Sequence, residues 1–144
     1  MQNRAQCNRG FTLIEIMVVV VIISVLIGLV APNIMGRVDE AKVTAAKADI
    51  ATMSQALDMY RIDNGSYPST EQSLQALVEK PSGTPEPRNW SSSGYMKKKD
   101  LPKDPWANDY QYIRYPDNRF DVVSNGADGR EGGEGYDADI TSGQ

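Results

Sequence analysis

The chain has 144 residues, a formal net charge of −4, one cysteine and no histidine. Its acidity argues against nucleic acid as a partner, because phosphate binding needs a basic surface. With Cys7 as the only cysteine, an internal disulfide, a Cys/His zinc site and a Cys–His catalytic pair are all excluded.

The first segment, residues 1–10, carries two arginines and no acid, and an apolar segment follows at residues 11–31. Twenty-one residues at about 1.5 Å rise just span a hydrocarbon core, and the basic flank predicts a cytoplasmic N-terminus. A cleaved secretory signal peptide has the same order of basic and apolar residues. Against it stand Glu15 inside the apolar run and the lack of a small-x-small cleavage site near Ala31.

Beyond the apolar segment, apolar residues recur at spacings of four, three, four and three. These residues are Ala46, Ile50, Met53, Leu57 and Tyr60. The spacing predicts that an amphipathic helix continues over residues 32–63 and ends at the turn residues Asp63-Asn64-Gly65.

The remaining residues, 64–144, predict a small globular domain. A short helix is expected over Thr70–Glu79, where Ser69 followed by Gln72 has the spacing of a capping box.

Two strands are expected in the same domain, at Tyr110–Tyr115 and Arg119–Ser124. The intervening Pro116-Asp117-Asn118 is typical of a hairpin turn. The predicted fold class is therefore α+β, with one long N-terminal helix and a small antiparallel sheet.

Glu15 is the most informative residue of the apolar segment. A carboxylate in a lipid-facing helix costs about 2.5 kcal/mol or more unless it is paired. One interpretation is that Glu15 lies at the membrane interface and snorkels to water. The other interpretation is that Glu15 is paired with a cation at the same depth, and there is no Lys or Arg between Phe11 and Gly36 to supply it. A cut before Phe11 would create an α-amino group that could pair with Glu15 of a neighbouring subunit.

The tail, residues 125–140, is rich in glycine and acid. It holds five carboxylates and one arginine between Asp128 and Asp139. Composition alone leaves two interpretations open: a disordered acidic terminus, or a loop of hard oxygen ligands that could bind Ca²⁺.

The run Arg9-Gly10-Phe11-Thr12-Leu13-Ile14-Glu15 resembles the N-terminal signal of type IV pilins and pseudopilins. The resemblance implies that a prepilin peptidase cuts after Gly10 and methylates Phe11. It also implies that Phe11, Glu15 and a helix-kinking Pro32 serve assembly.

Later motifs resemble the major pseudopilins of type II secretion systems. They are Ala56 to Tyr60, Asp63-Asn64, Tyr67-Pro68, Thr70-Glu71-Gln72, Gln75-Ala76-Leu77, Asp104-Pro105-Trp106, Gly126 to Gly129 and Glu131 to Gly135. Ser73 and Ala107 stand where that family usually has glycine.

This resemblance implies a type IV pilin-like fold and favours a calcium loop at residues 125–140. The ligands it suggests are the side chains of Asp128, Asp137 and Asp139, with main-chain oxygens near Asn125 and Arg130.

The implied function is structural rather than enzymatic: a subunit held in the bacterial inner membrane, with its C-terminal domain periplasmic, that polymerises into a helical filament. The implied partners are further copies of itself, minor pseudopilins, the prepilin peptidase, an inner-membrane assembly platform and membrane lipid. Two alternatives remain: a type IV pilus pilin for adhesion or motility, and a membrane-tethered periplasmic enzyme or calcium-dependent binding module.

Overall fold

The structure, a computed structural model, describes residues 11–143, with only the backbone described for residues 29–35. Its elements are α1 (Leu13–Asn64), a 3₁₀ helix (Leu74–Leu77), β1 (Gln111–Arg114), β2 (Phe120–Ser124), a second 3₁₀ helix (Gly135–Asp137) and β3 (Ile140–Thr141). The chain divides into two compact units, residues 1–38 and 39–144, and each is described by itself.

The first unit contains the apolar part of α1. Every large apolar side chain from Leu13 to Ile27 is at least 45% exposed. Among the described residues, the structure has no helix that is both long and apolar enough to cross a membrane. The side chains of residues 29–31 in the predicted membrane segment, and that of Pro32, lie outside what is described. The membrane span and the kink at Pro32 therefore remain predictions.

The second unit confirms the predicted stripe of α1. Its five apolar residues, Ala46 to Tyr60, are at most 3% exposed and form one wall of the core. The helix ends at Asn64, as the turn residues predict. Asn64 is itself buried, and its amide donates to the Tyr60 carbonyl oxygen at 2.9 Å, which closes the last turn.

The sheet has three antiparallel strands in the order β1-β2-β3. The predicted hairpin between β1 and β2 is confirmed: Tyr112 pairs with Val122, and the Tyr115 N–H donates to the Arg119 carbonyl at 2.9 Å. The third strand, Ile140–Thr141, pairs with β2 and was not predicted. Tyr112, Val122 and Ile140 complete the core against the stripe of α1.

Two tyrosines join the sheet to the rest of the second unit. The Tyr110 hydroxyl donates to the Asp49 carboxylate on α1 at 3.1 Å, and the Tyr112 hydroxyl donates to the Pro68 carbonyl at 2.9 Å. Burial, reinforced by the negative charge of Asp49, raises the pKa of Tyr110.

The predicted helix over Thr70–Glu79 is wrong in type and extent, because only Leu74–Leu77 is helical and that turn is 3₁₀. The capping pair is correct: the Ser69 N–H donates to the Gln72 side chain at 3.0 Å, and the Gln72 N–H donates to the Ser69 hydroxyl at 3.2 Å. Ser73 has φ 52° and ψ −169°, which lie outside the right-handed helical region. This backbone conformation prevents the predicted α-helix from forming beyond the capping pair.

Candidate functional site

The first candidate site is the N-terminal turn of α1, which holds Glu15. The Thr12 N–H donates to the Glu15 carboxylate at 3.4 Å, and the Glu15 N–H donates to the Thr12 hydroxyl at 3.3 Å. This reciprocal pair is a capping box. Phe11 is 77% exposed beside it, and the predicted cleavage residue Gly10 lies outside the described residues.

The capping box gives the lone carboxylate of the apolar segment a local role. It satisfies a backbone N–H that has no partner within the helix, and it places negative charge at the positive end of the helix dipole. Glu15 is thereby tied to Thr12, the residue after Phe11, at the start of the helix. The signal for this geometry, Thr12 three residues before Glu15, was present in the sequence, yet the role of Thr12 was not predicted.

The second candidate site is the acidic loop, residues 125–140. The loop is closed across its base, where the Ala127 N–H donates to the Tyr136 carbonyl at 3.0 Å. At its near end the Asn125 amide reaches the Gly129 carbonyl at 3.5 Å, and the Arg130 N–H donates to the Asp128 carboxylate at 3.0 Å. These contacts make a folded turn of the segment that composition alone left open to disorder.

Asp139 is the predicted ligand with the most informative surroundings. One carboxylate oxygen, Oδ2, accepts from the Gly132 N–H at 2.9 Å and ties the middle of the loop to its end. The other, Oδ1, is buried and has no hydrogen-bond partner among the described residues. A buried carboxylate oxygen without a partner is costly, and a cation would satisfy it.

Asp137 is another of the predicted ligands, and the structure does not test that role. The residue is exposed, and its main-chain carbonyl oxygen lies close to Gly126 and Gly133. A Cβ atom on Gly126 would lie 2.7 Å from that carbonyl oxygen, and one on Gly133 would overlap it. Both glycines also have positive φ. They are therefore required for the loop to close around the Asp137 carbonyl.

Within residues 11–143, no three acidic, histidine or cysteine side chains come together closely enough to hold a metal ion. Asp128 is exposed and Asp139 is partly buried, so the loop offers carboxylates mainly in combination with main-chain oxygens. Such mixed oxygen sets are typical of calcium sites.

A buried carboxylate braces this loop from outside, and from the sequence it was identified only as part of a family-like motif, without this role. Asp104 is 4% exposed; it accepts from the N–H groups of Trp106 and Asn108 at 3.0 and 2.8 Å. Its other oxygen accepts from the Ser124 hydroxyl at 2.7 Å, at the end of β2. The Asn108 side chain lies against Gly129, where an added Cβ would approach its amide oxygen to 3.2 Å. The turn from Asp104 to Asn108 thus supports the acidic loop.

Comparison with known proteins identifies the family of the chain. The family model for type II secretion system protein G matches residues 33–143. The chain belongs to the family of type II secretion system protein G. A second model, the prokaryotic N-terminal methylation motif, matches residues 6–31 and so covers the capping box.

Relatives match over nearly the whole chain. The type II secretion system core protein G of Pseudomonas aeruginosa is 58% identical, over 97% of this chain and 96% of its own length. The core protein G of Vibrio cholerae is 54% identical, over 91% of this chain and 88% of its own length. The crystal structure of the major pseudopilin from the type 2 secretion system of enterohaemorrhagic Escherichia coli is 43% identical, covering 77% of this chain and 94% of that chain, with a TM-score of 0.65.

These findings confirm the predicted family and the α+β pilin-like fold. The family is one of structural major pseudopilins and not of enzymes, so the chain is a structural subunit of a type II secretion system.

Proposed function

We propose that the chain is cut after Gly10, methylated at Phe11, held in the inner membrane with its second unit in the periplasm, and then built into a helical pseudopilus. The observation that carries this proposal is the exposed apolar surface from Leu13 to Ile27, with Glu15 held in a capping box at its start. The match to the N-terminal methylation motif at residues 6–31 supports the processing step.

An apolar helix surface of this extent needs an apolar environment on every side. Lipid supplies it before assembly, and the same segments of neighbouring subunits supply it afterwards. Because lipid tails are about as apolar as these side chains, transfer from membrane to filament changes the hydrophobic burial little. A small free-energy difference from polar contacts can then decide whether a subunit stays in the membrane or joins the filament.

In our proposal, Glu15 supplies the free-energy difference that favours the filament. Cleavage before Phe11 gives each subunit an α-ammonium group at the depth of the carboxylate. Pairing this ammonium with Glu15 of an adjacent subunit neutralises two charges in a dry core, where leaving either one alone is costly. The capping box supports this step because it restricts the carboxylate to the start of the helix.

Growth of the filament from an inner-membrane assembly platform, with minor pseudopilins among its partners, would drive folded proteins through the outer membrane. The supporting facts are the family match and the structural likeness to a major pseudopilin. Membership of the family implies assembly into a pseudopilus; the individual partners are our proposal.

We also propose that the acidic loop binds Ca²⁺. The buried, unpartnered Oδ1 of Asp139 fits a cation, as does the cradle around the Asp137 carbonyl, which side chains at Gly126 and Gly133 would fill. Asp139 and Asp128 would supply carboxylates, and main-chain oxygens near Asn125 and Arg130 would complete the set. A bound cation would offset the repulsion among the five carboxylates of the loop.

Glu15→Gln tests the assembly proposal, because it keeps the size of the side chain and removes its charge. The variant should be processed normally, but its filament yield and secretion should fall sharply. Glu86→Gln, which removes an exposed charge of the second unit, is the matched control and should assemble normally. Normal filaments from Glu15→Gln would refute the pairing.

A further inference from the structure

The turn from Asp104 to Asn108 is closed by several hydrogen bonds, and we refer to it as the Asp104 turn. The Asp104 carboxylate accepts from the Asn108 N–H at 2.8 Å, and the Asp104 N–H donates to the Asn108 carbonyl at 2.9 Å. The Ala107 N–H donates to the Asp104 carbonyl at 2.9 Å within the same turn. Because both main-chain groups of Asn108 are bonded to one buried residue, its backbone has little conformational freedom. The Asn108 side chain therefore starts from a well-defined position.

The Asp104 turn contacts the acidic loop at two places. At the base of the loop, the Asp104 carboxylate accepts from the Ser124 hydroxyl at 2.7 Å, one residue before the loop begins. Further along, a Cβ atom added to Gly129 would lie 3.2 Å from the amide oxygen of Asn108 and 3.3 Å from its amide nitrogen. These two contacts lie at the two ends of residues 125–129. The first part of the acidic loop is thus restrained from outside the loop.

Gly129 is the residue through which the second contact acts. Its φ of 66° lies in the left-handed region, which favours glycine. Two predicted sources of calcium ligands flank it, the Asp128 carboxylate before it and the main-chain oxygens near Arg130 after it. The Arg130 N–H donates to the Asp128 carboxylate at 3.0 Å, so these three residues form one turn. The direction of both flanking ligands therefore depends on the main chain at Gly129.

We propose that Asn108 is a positioning residue for calcium: its side chain restricts Gly129 and thereby holds the flanking ligands in the arrangement that binds the cation. Asn108 is not one of the predicted ligands, and it acts by ordering the loop before the ion arrives. A loop that is already ordered loses less conformational entropy on binding, so it binds more tightly. The inference rests on the proposed calcium binding and adds to it a residue outside the loop that sets the affinity.

The composition of the acidic loop makes such outside support important. Its five carboxylates repel one another until a cation is bound. Its second part also has three glycines with positive φ, Gly132, Gly133 and Gly135, and glycine has the most backbone freedom to lose on ordering. The Asp104 turn lies outside this group of charges and glycines, so it can hold the first part of the loop in place.

Asn108→Ala tests this role, because it removes the side chain and keeps both main-chain bonds to Asp104. In calcium titrations of the full-length protein in detergent, the dissociation constant should rise by roughly tenfold, as is usual when a residue that orients metal ligands is lost. In chelator the variant should melt within about 3 °C of wild type, because Asn108 is only partly buried.

The matched control is Asn89→Ala, at an exposed asparagine whose N–H is bonded to the Asn64 side chain. This control should leave the calcium affinity unchanged. An unchanged dissociation constant in Asn108→Ala, or an equal loss of affinity from the control, overturns the positioning role alone. A wild-type protein that binds no calcium overturns the proposed calcium site as well.

Two further variants separate the contact from direct ligation. Asn108→Leu keeps nearly the shape of asparagine without its amide oxygen, so its calcium affinity should stay close to that of wild type. An affinity as low as that of Asn108→Ala would overturn the contact as the cause. Gly129→Ala should weaken binding, and it should do so less in the Asn108→Ala background, where the added Cβ has room. Losses of affinity that simply add on a logarithmic scale would also overturn the contact.

Discussion

The backbone of Ser73 has φ 52° and ψ −169°. This region of backbone conformation is adopted almost only by glycine, and it costs other residues about 1–3 kcal/mol. Ser73→Gly should therefore stabilise the protein, because it removes a strain that nothing else in the turn requires.

The expected gain is smaller than the strain, for two reasons. Glycine increases the conformational freedom of the unfolded chain, which offsets about 0.4–1 kcal/mol. The Ser73 hydroxyl also accepts from the Gln75 N–H at 3.3 Å, and replacing such a cap by glycine costs only a few tenths of a kcal/mol. The net stabilisation should be about 1 kcal/mol, which raises the melting temperature of a domain of about 100 residues by roughly 4–5 °C.

Thermal unfolding of the full-length protein in detergent, followed by fluorescence at constant calcium, measures this shift. Ser73→Ala should lower the melting temperature, because it keeps the strain and removes the hydroxyl. Ser82→Gly, at an exposed serine with ordinary φ, controls for the freedom that glycine adds to the unfolded chain. If Ser73→Gly melts at or below the wild-type temperature, the strain argument is wrong.

Three further predictions concern the second unit. Asp104→Ala should lower its free energy of unfolding by about 2–4 kcal/mol in denaturant titrations, because one buried donor, the Ser124 hydroxyl, and two partly buried N–H groups lose their acceptor. A loss under about 1 kcal/mol would contradict this. Because the pKa of Tyr110 is raised in the folded state, this hydroxyl keeps its proton above its unfolded pKa of about 10. Its contribution to stability should therefore be fully present below that pH and should be lost as the pH rises above it. Tyr110→Phe should make that decline shallower by up to about 1.4 kcal/mol per pH unit, and an unchanged pH profile would exclude this residue as a cause. Calcium should raise the melting temperature and chelator should lower it. Asp139→Ala should abolish this response, whereas Glu131→Ala should leave most of it. Identical melting of the wild-type protein in calcium and in chelator would exclude the site.

Much of the fold follows from local sequence patterns. The stripe from Ala46 to Tyr60 was predicted residue by residue, because a helix packed on one side repeats every 3.6 residues. The hairpin was predicted because Pro116-Asp117-Asn118 has turn chemistry, and Asn118 indeed takes a positive φ of 63°.

The errors arise where tertiary structure overrides local preference. The apolar spacing of Thr70–Glu79 favours a helix, but the backbone of Ser73 breaks it. Ile140–Thr141 is too short for a periodic signal and becomes a strand only by pairing with β2.

The acidic loop could be predicted as a unit, but its internal roles could not. Composition indicates oxygen ligands on a glycine-rich backbone without indicating which oxygen of each residue faces inward. At Asp137 the structure shows only that the main-chain carbonyl oxygen lies close to Gly126 and Gly133, where a side chain would not fit. The role of Asp104 as a brace was missed because one of its three donors, the Ser124 hydroxyl, comes from the end of β2, far along the chain.

The central claim, that this chain becomes a processed filament subunit, is tested most directly by the intact mass and N-terminal residue of the mature protein. When the chain is expressed with its prepilin peptidase, we predict loss of residues 1–10 and a methylated Phe11 at the new terminus. Gly10→Ala should leave the full-length precursor in the membrane. A wild-type protein that keeps its first ten residues, or that begins beyond Ala31 after removal of the whole apolar segment, would contradict the account.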